Sequence, residues 1–268
     1  MTKVRKAVVL AAGAGSRMRR AQAEGGLSAE QTKAAGSGAK AMMPLGGRPF
    51  LDFVLNGLAD AGIEKICMVV APDHVAMRDH YSAQAPERLH IEYAVQSEPR
   101  GTAHALQTAE SFASAEEFLL LNGDNHYPVQ ALHDLRQAQG PALAAFGAQS
   151  LLQPDLPLEQ RNERLMAYSD LEFDEAGRLT SITEKPTTPP RWVSMNCWRL
   201  GPSIFEACEA IEPSERGELE LPSAVLYSME NLGQDYLAIP AQGPVLDLSS
   251  RADVQRVQAA LAAIHVRL

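Results

Sequence analysis

Gly13 and Gly15 stand two apart directly behind an apolar run at residues 6–12. Glycines at that spacing let a strand-to-helix turn aim successive backbone N–H groups at one anion, because no Cβ holds the ligand away. By itself the signal is weak, since any tight turn favours glycine. Two familiar phosphate motifs fail on inspection. A dinucleotide fingerprint needs glycine where Met18 stands, and a P-loop needs Gly-Lys-Ser/Thr after four intervening residues. The turn carries Arg17 instead, whose planar guanidinium can grip a phosphate group through two parallel bonds.

Two carboxylates suit a cation that binds phosphate oxygens as well. Asp124 follows the apolar residues 118–121, which puts it at the carboxyl end of a strand. Asp247 follows Pro244-Val-Leu246 and can reach the same cleft from a second strand. Read singly, either is as readily a turn or cap residue, and Lys40 is a solvated surface charge. A metal centre built on histidine is unsupported, because the seven histidines form no ligand cluster. The three cysteines form no C-x-x-C pair, and Cys67 and Cys197 lie in apolar runs, as buried reduced thiols do.

The elements that must position these groups alternate. Residues 6–12, 65–71, 89–95 and 118–122 read as strands, with helical stretches near 74–81 and 102–113. After Pro49 the positions Phe50, Phe53, Val54, Leu58 and Ala61 repeat at helical spacing, and Gly62 is a fitting stop. Past a proline-bearing connection at 151–157, strands are expected at 166–173 and 178–182 around Asp174-Glu-Ala-Gly177, and again at 192–200. Val254, Val257, Leu261 and Ile264 predict a closing amphipathic helix. Such alternation implies an α/β fold with a mostly parallel sheet, helices on both faces and ligands beyond the carboxyl ends of the strands. Residues 20–39, rich in Ala, Gly, Gln and Ser, read as a mobile loop, either one that folds over a ligand or a solvated insertion with no role, with one helical turn and a capping box at Ser28-Ala-Glu-Gln31.

Here the chain resembles a known family. Leu10-Ala-Ala-Gly-Ala-Gly-Ser-Arg-Met18 followed by Lys40-x-x-x-Pro-Leu-Gly-Gly-Arg-Pro49 is similar to the signature of the sugar-1-phosphate nucleotidylyltransferases. Gln96-Ser-Glu-Pro-Arg-Gly-Thr-Ala-His-Ala105 resembles that family's nucleobase segment, and Leu119-Leu-Leu-Asn-Gly-Asp124 its strand with a metal-binding aspartate. Glu184-Lys-Pro186, Asn196, Glu218-Leu-Glu220 and Val245-Leu-Asp-Leu248 match in the same order. The resemblance implies one domain with a Rossmann-like α/β core: 1–149 mainly for nucleotide, 150–248 mainly for sugar phosphate, and 249–268 closing it. It implies Mg2+ on Asp124 and Asp247, with Arg17, Lys40 and Asp124 as the catalytic set. Ala12, Gly13, Ala14, Gly15, Gln96, Gly101 and Thr102 would bind the nucleotide. Lys185 would hold the sugar phosphate, with Glu184 and Asn196 on sugar hydroxyls. The chain departs from the family in having Ala39 where proline is usual, a longer loop before Lys40, and Ser169 in place of a glycine that often follows the tyrosine.

The expected reaction joins a nucleoside triphosphate to a sugar 1-phosphate by direct displacement, with pyrophosphate leaving. Gln96 offers a donor and an acceptor that match N3–H and a neighbouring carbonyl of uracil or thymine, and Gly101 would let the base approach the backbone. Two rivals are a related enzyme with a non-sugar acceptor such as phosphocholine, and a silent nucleotide-sugar sensor. Retention of Arg17, Lys40, Asp124, Lys185 and Asp247 argues against the sensor. The net charge of −9 argues against a nucleic-acid partner. No apolar run approaches the ~20 residues a membrane span needs. With no signal-peptide layout at residues 1–9, a cytoplasmic protein is expected, and assembly as a homo-oligomer is left open.

Overall fold

β1 (Lys6–Leu10) is apolar on both faces, so it leaves water only if layers cover the sheet above and below. The computed structural model describes residues 3–13, 15, 18–19, 27–37, 40–151 and 158–268. After β1 come α1 (Ala29–Ser37), a 3-10 turn at Lys40–Met42, the hairpin β2 (Pro44–Leu45) and β3 (Arg48–Pro49), and α2 (Phe50–Asp60). Next are β4 (Lys65–Val70), α3 (Val75–Gln84), β5 (His90–Val95), α4 (Thr102–Gln107), α5 (Glu110–Ala113) and β6 (Phe118–Asn122). The chain continues through β7 (Asn125–His126), α6 (Val129–Gln137), β8 (Ala142–Gly147), α7 (Ala148–Leu151) and α8 (Leu158–Leu165). It ends with β9 (Ser169–Phe173), β10 (Leu179–Thr183), β11 (Trp192–Leu200), α9 (Ser203–Ala210), α10 (Leu221–Leu232), β12 (Leu237–Ala241), β13 (Leu246–Asp247) and α11 (Asp253–Leu261).

The main sheet runs β10-β9-β11-β6-β1-β4-β5, with β8 beside β11 and β12 beside β8. β6, β1, β4 and β5 are mutually parallel, whereas β11 is antiparallel to β6, β8 and β9. Side chains alternate between two cores. Ala7, Val9, Leu119 and Leu121 face Phe50, Leu55 and Phe146, while Val8, Phe118 and Leu120 face Leu106, Trp198 and Val225. The chain leaves β1 toward β4 and β5, then crosses back to β6 on the other side. That reversal opens a crevice at the carboxyl ends of β1, β4 and β6. The register continues just past the strands: Ala11 N donates to Val69 O at 2.8 Å, and Gly123 N to Leu10 O at 2.8 Å.

Differences from the sequence reading are local. The strand expected at 166–173 begins only at Ser169, because polar α8 precedes it. The helix expected near 102–113 is broken between α4 and α5. Residues 27–37 are no loop. Ser28 N donates to Gln31 Oε1 at 3.0 Å and Gln31 N to Ser28 Oγ at 3.2 Å, a reciprocal capping box that starts a nine-residue helix. Gln31 Nε2 also donates to Pro44 O and Gln258 Oε1, at 2.9 and 3.1 Å, and Ala35 is fully buried. Tertiary docking thus substitutes for the missing apolar periodicity. Residues 20–26, 38 and 39 of the expected loop, and 152–157 of the connection, lie outside the described residues.

Ser28→Ala removes the oxygen that accepts from Gln31 N and is expected to cost about 0.5–2 kcal/mol. Hydrogen exchange of the whole chain should quicken across 29–37 and stay unchanged in β1 and β6. Equal change in the central strands would show that the box supports more than its own helix.

Candidate functional site

The crevice holds a cavity of about 380 Å³. Ala12, Gly13, Gly15, Gln96, Gly101 and Thr102 line it together with Lys40 and Asp124, and Asn122, Pro99 and Glu218 complete its wall. Each polar group arrives on a segment that leaves a buried strand. Gly13 follows β1, Gln96 follows β5, and Asp124 follows β6. Gly123 is held tightly, since a Cβ there would sit 3.2 Å from both Ala11 Cβ and Leu10 O. The backbone bearing Asp124 can therefore lie directly against the phosphate-type turn. Ala14 and Arg17 lie outside the described residues.

Lys40 reaches the crevice from the 3-10 turn, and its Nζ stands 3.2 Å from Asp124 Oδ2. Both side chains are half-buried, so the attraction is only partly screened by water. Asp247 is brought beside this pair by a two-stranded ladder in which it faces Asn125. Leu248 N donates to Asp124 O at 3.0 Å and secures the junction. Burial, followed by the negative charge of Asp124, holds the Asp247 carboxyl above the usual aspartate range. Ser249 Oγ at 2.5 Å and Tyr168 OH at 3.4 Å both donate to its Oδ2. His126, next along the ladder, is pushed down to about 4 by burial and is neutral, so it adds no positive charge here.

A buried carboxylate set beside the negative charge of Asp124 fits a divalent cation. Among the described residues no group of three or more metal-type side chains gathers.

Gln96 is buried, and its carboxamide is already spoken for on one side. Nε2 donates to Gly101 O at 3.0 Å and meets His104 Nδ1 at 3.2 Å. One amide hydrogen is thus engaged by Gly101 O, and no described residue donates to Oε1, which leaves the acceptor side of the carboxamide open. Gly101 also has a different reason to be glycine. Its φ is +105°, and a Cβ would meet Leu219 O at 2.3 Å and Leu219 N at 2.7 Å. The constraint is thus the strand-like pairing of 100–103 with Leu219, seen in Leu219 N to Arg100 O at 2.7 Å and Ala103 N to Leu219 O at 2.9 Å. Thr102 Oγ1 accepts from Leu221 N at 2.9 Å and so caps the start of α10.

Glu184, Lys185 and Asn196 do not line the cavity; Glu184 and Lys185 follow β10 and Asn196 lies on β11, and both strands pair with β9. Ser169 Oγ donates to Glu184 Oε1 at 2.6 Å. Lys185 and Asn196 have φ of +49° and +53°, a left-handed conformation uncommon outside glycine. Asn196 lies where β11 shifts register between Ser194 and Trp198, passing from β9 to β6 as neighbour. Its Oδ1 accepts from Trp198 Nε1 at 3.3 Å. Backbone held this way marks places where surrounding packing overrides local preference.

Sequence reasoning gave no role to Glu218, Ser249 or Tyr168. Glu218 stands in a quoted motif, and its neighbour Gly217 turns at φ +74° beside Arg216, which Glu220 holds. That pairing was the available signal. Ser249, two residues after Asp247, is a local donor that a turn reading makes visible, whereas Tyr168 had no signal because it is distant in sequence.

Gly101→Ala is expected to destabilise the chain by about 3 kcal/mol or more, combining backbone strain with a clash against main chain that cannot rotate away. Urea denaturation measures it. A midpoint close to that of the unsubstituted protein would show that the Leu219 segment yields freely.

Comparison with known proteins extends the geometry. The model of the nucleotidyl transferase family matches residues 6–243. A UTP–glucose-1-phosphate uridylyltransferase of Haloferax volcanii is 32% identical over 251 residues, covering 92% of this chain and 93% of that protein. A glucose-1-phosphate thymidylyltransferase of Streptomyces antibioticus is 29% identical, covering 94% of this chain and 65% of its own length. In fold, a crystal structure of UDP-glucose pyrophosphorylase complexed with UDP-glucose superposes with a TM-score of 0.75 at 18% identity, over 97% of this chain and 98% of that one.

Proposed function

Because the chain belongs to the nucleotidyl transferase family, we propose that it transfers the nucleotidyl group of UTP or dTTP to a sugar 1-phosphate. An oxygen of the sugar phosphate attacks the α-phosphorus, the bond from that phosphorus to the bridging oxygen of the β-phosphate breaks, and pyrophosphate leaves. The observation that carries this reading is the convergence of Lys40, Asp124 and Asp247 beside the Gly13–Gly15 turn. Nucleotidyl transfer brings two anions together, so positioning and charge neutralisation supply most of the rate. Relatives named for glucose 1-phosphate support a sugar acceptor over phosphocholine.

Magnesium held by Asp124 and Asp247 would neutralise triphosphate charge and align the leaving group. The chain's own residues do the rest. Backbone amides at 13 and 15 receive phosphate oxygens, and Lys40 balances charge at the α-phosphate. Arg17, outside the described residues, is assigned to the triphosphate. Lys185 takes the sugar phosphate, while Glu184 and Asn196 bond sugar hydroxyls. Gln96 Oε1 accepts the imino N–H of uracil or thymine; cytosine has no proton there. Three buried free cysteines, with Cys67 and Cys208 each pushed up to about 12 by burial, support a reducing cytoplasmic setting. Among the described residues no helix is long and apolar enough to cross a membrane.

Pyrophosphate release, measured for a matrix of nucleoside triphosphates against sugar 1-phosphates, tests the reading. UTP or dTTP should give the highest kcat/KM. A purine preference overturns the base assignment, and silence across the matrix overturns the activity. Asp124→Asn keeps the shape and removes the charge. It is expected to lower kcat on the order of 10²-fold and to raise the magnesium requirement. Near-normal turnover at limiting magnesium would remove Asp124 from the metal site.

A further inference from the structure

Which atom of the Gln96 carboxamide faces the cleft decides which base it accepts. A half-turn of that amide exchanges acceptor for donor, and with it an N3–H pyrimidine for the bare N3 of cytosine. The two groups that set the orientation come from the protein. Gly101 O can only accept, and it takes one hydrogen of Nε2 at 3.0 Å. The second hydrogen points to His104 Nδ1 at 3.2 Å. A nitrogen that has only hydrogens to offer is matched by a bare ring nitrogen, which is the His104 tautomer with its proton on Nε2.

His104 stands on α4, one turn beyond Gly101, and is not part of the cavity wall. One bond to Gly101 fixes an end of the amide but leaves it free to rock about that contact. Two acceptors in different directions define its plane. We infer that His104 is a positioning residue for base selection: by accepting the second N–H it holds the carboxamide plane so that Oε1 meets the imino N–H of uracil or thymine. The inference rests on the base reading of Gln96 given above and extends it to a residue that touches no substrate.

The test uses the whole chain with magnesium and titrates UTP and CTP calorimetrically, which needs no acceptor sugar. The unsubstituted protein should prefer UTP. His104→Ala should reduce the UTP:CTP affinity ratio about fivefold, the worth of one net hydrogen bond. His104→Asn, whose side-chain oxygen can stand where Nδ1 stood, should restore the ratio. A ratio unchanged in His104→Ala, equal weakening of both nucleotides, or failure of His104→Asn to restore selectivity overturns the role. Absence of any UTP preference in the unsubstituted protein is a separate failure, that of the Gln96 reading itself. Nitrogen-15 resonances of the imidazole supply a check that needs no variant: Nδ1 should be unprotonated, and a proton found there overturns the inference.

Discussion

Everything in this fold depends on β1 being buried on both sides. A strand apolar on both faces cannot border water, so it demands a core above and below and neighbours along both edges. With β4 and β6 parallel to it, every polar group that chemistry needs must emerge where the strands end. The turn after β1 and the Gly123-Asp124 segment are then laid side by side by ordinary backbone bonds, Ala11 to Val69 and Gly123 to Leu10. Charge enters only afterwards. Lys40 and Asp247 come from outside the parallel core and are drawn to Asp124 by an ion pair and a two-stranded ladder.

Much of this was legible because the forces involved act locally. The apolar runs of β1, β4 and β6 announce buried strands, and β11 was bounded as found. Val254, Val257 and Leu261 fall on one side of α11 and are fully buried there. The capping box at Ser28 is visible for the same reason, since both its bonds lie within four residues. What escaped is set at long range. Half of β8 is alanine, which favours no strand, and it pairs where β11 and β12 flank it. α1 lacks a clear apolar stripe and is held by Gln31 reaching Pro44 and Gln258. At Gly101 the close approach of Leu219, far along the chain, adds a demand for glycine that no local pattern announces.

The groups around β9 to β11 follow a different logic from the nucleotide cleft. The cleft rests on unstrained parallel strands, whereas Lys185 and Asn196 are held in left-handed backbone beside a register shift. Ser169 already engages Glu184, so this carboxylate reaches any incoming hydroxyl with one oxygen committed. A chain of contacts joins the two regions: Ser169 adjoins Tyr168, Tyr168 bonds Asp247, and Leu248, next after Asp247, bonds back to Asp124.

The ladder between β7 and β13 also has a consequence in time. It joins a carboxylate near the middle of the chain to one far downstream, and ribosomes deliver residues in order at about 5–20 per second. A chain made only through Asp124 already contains both members of the Lys40–Asp124 ion pair of the folded structure. The second carboxylate joins only when Asp247 pairs with Asn125, after both antiparallel and parallel neighbours of β8 have been made. The anionic pair is therefore incomplete until Asp247 has been made, long after Asp124, and the order of the sequence sets when the two carboxylates can first meet.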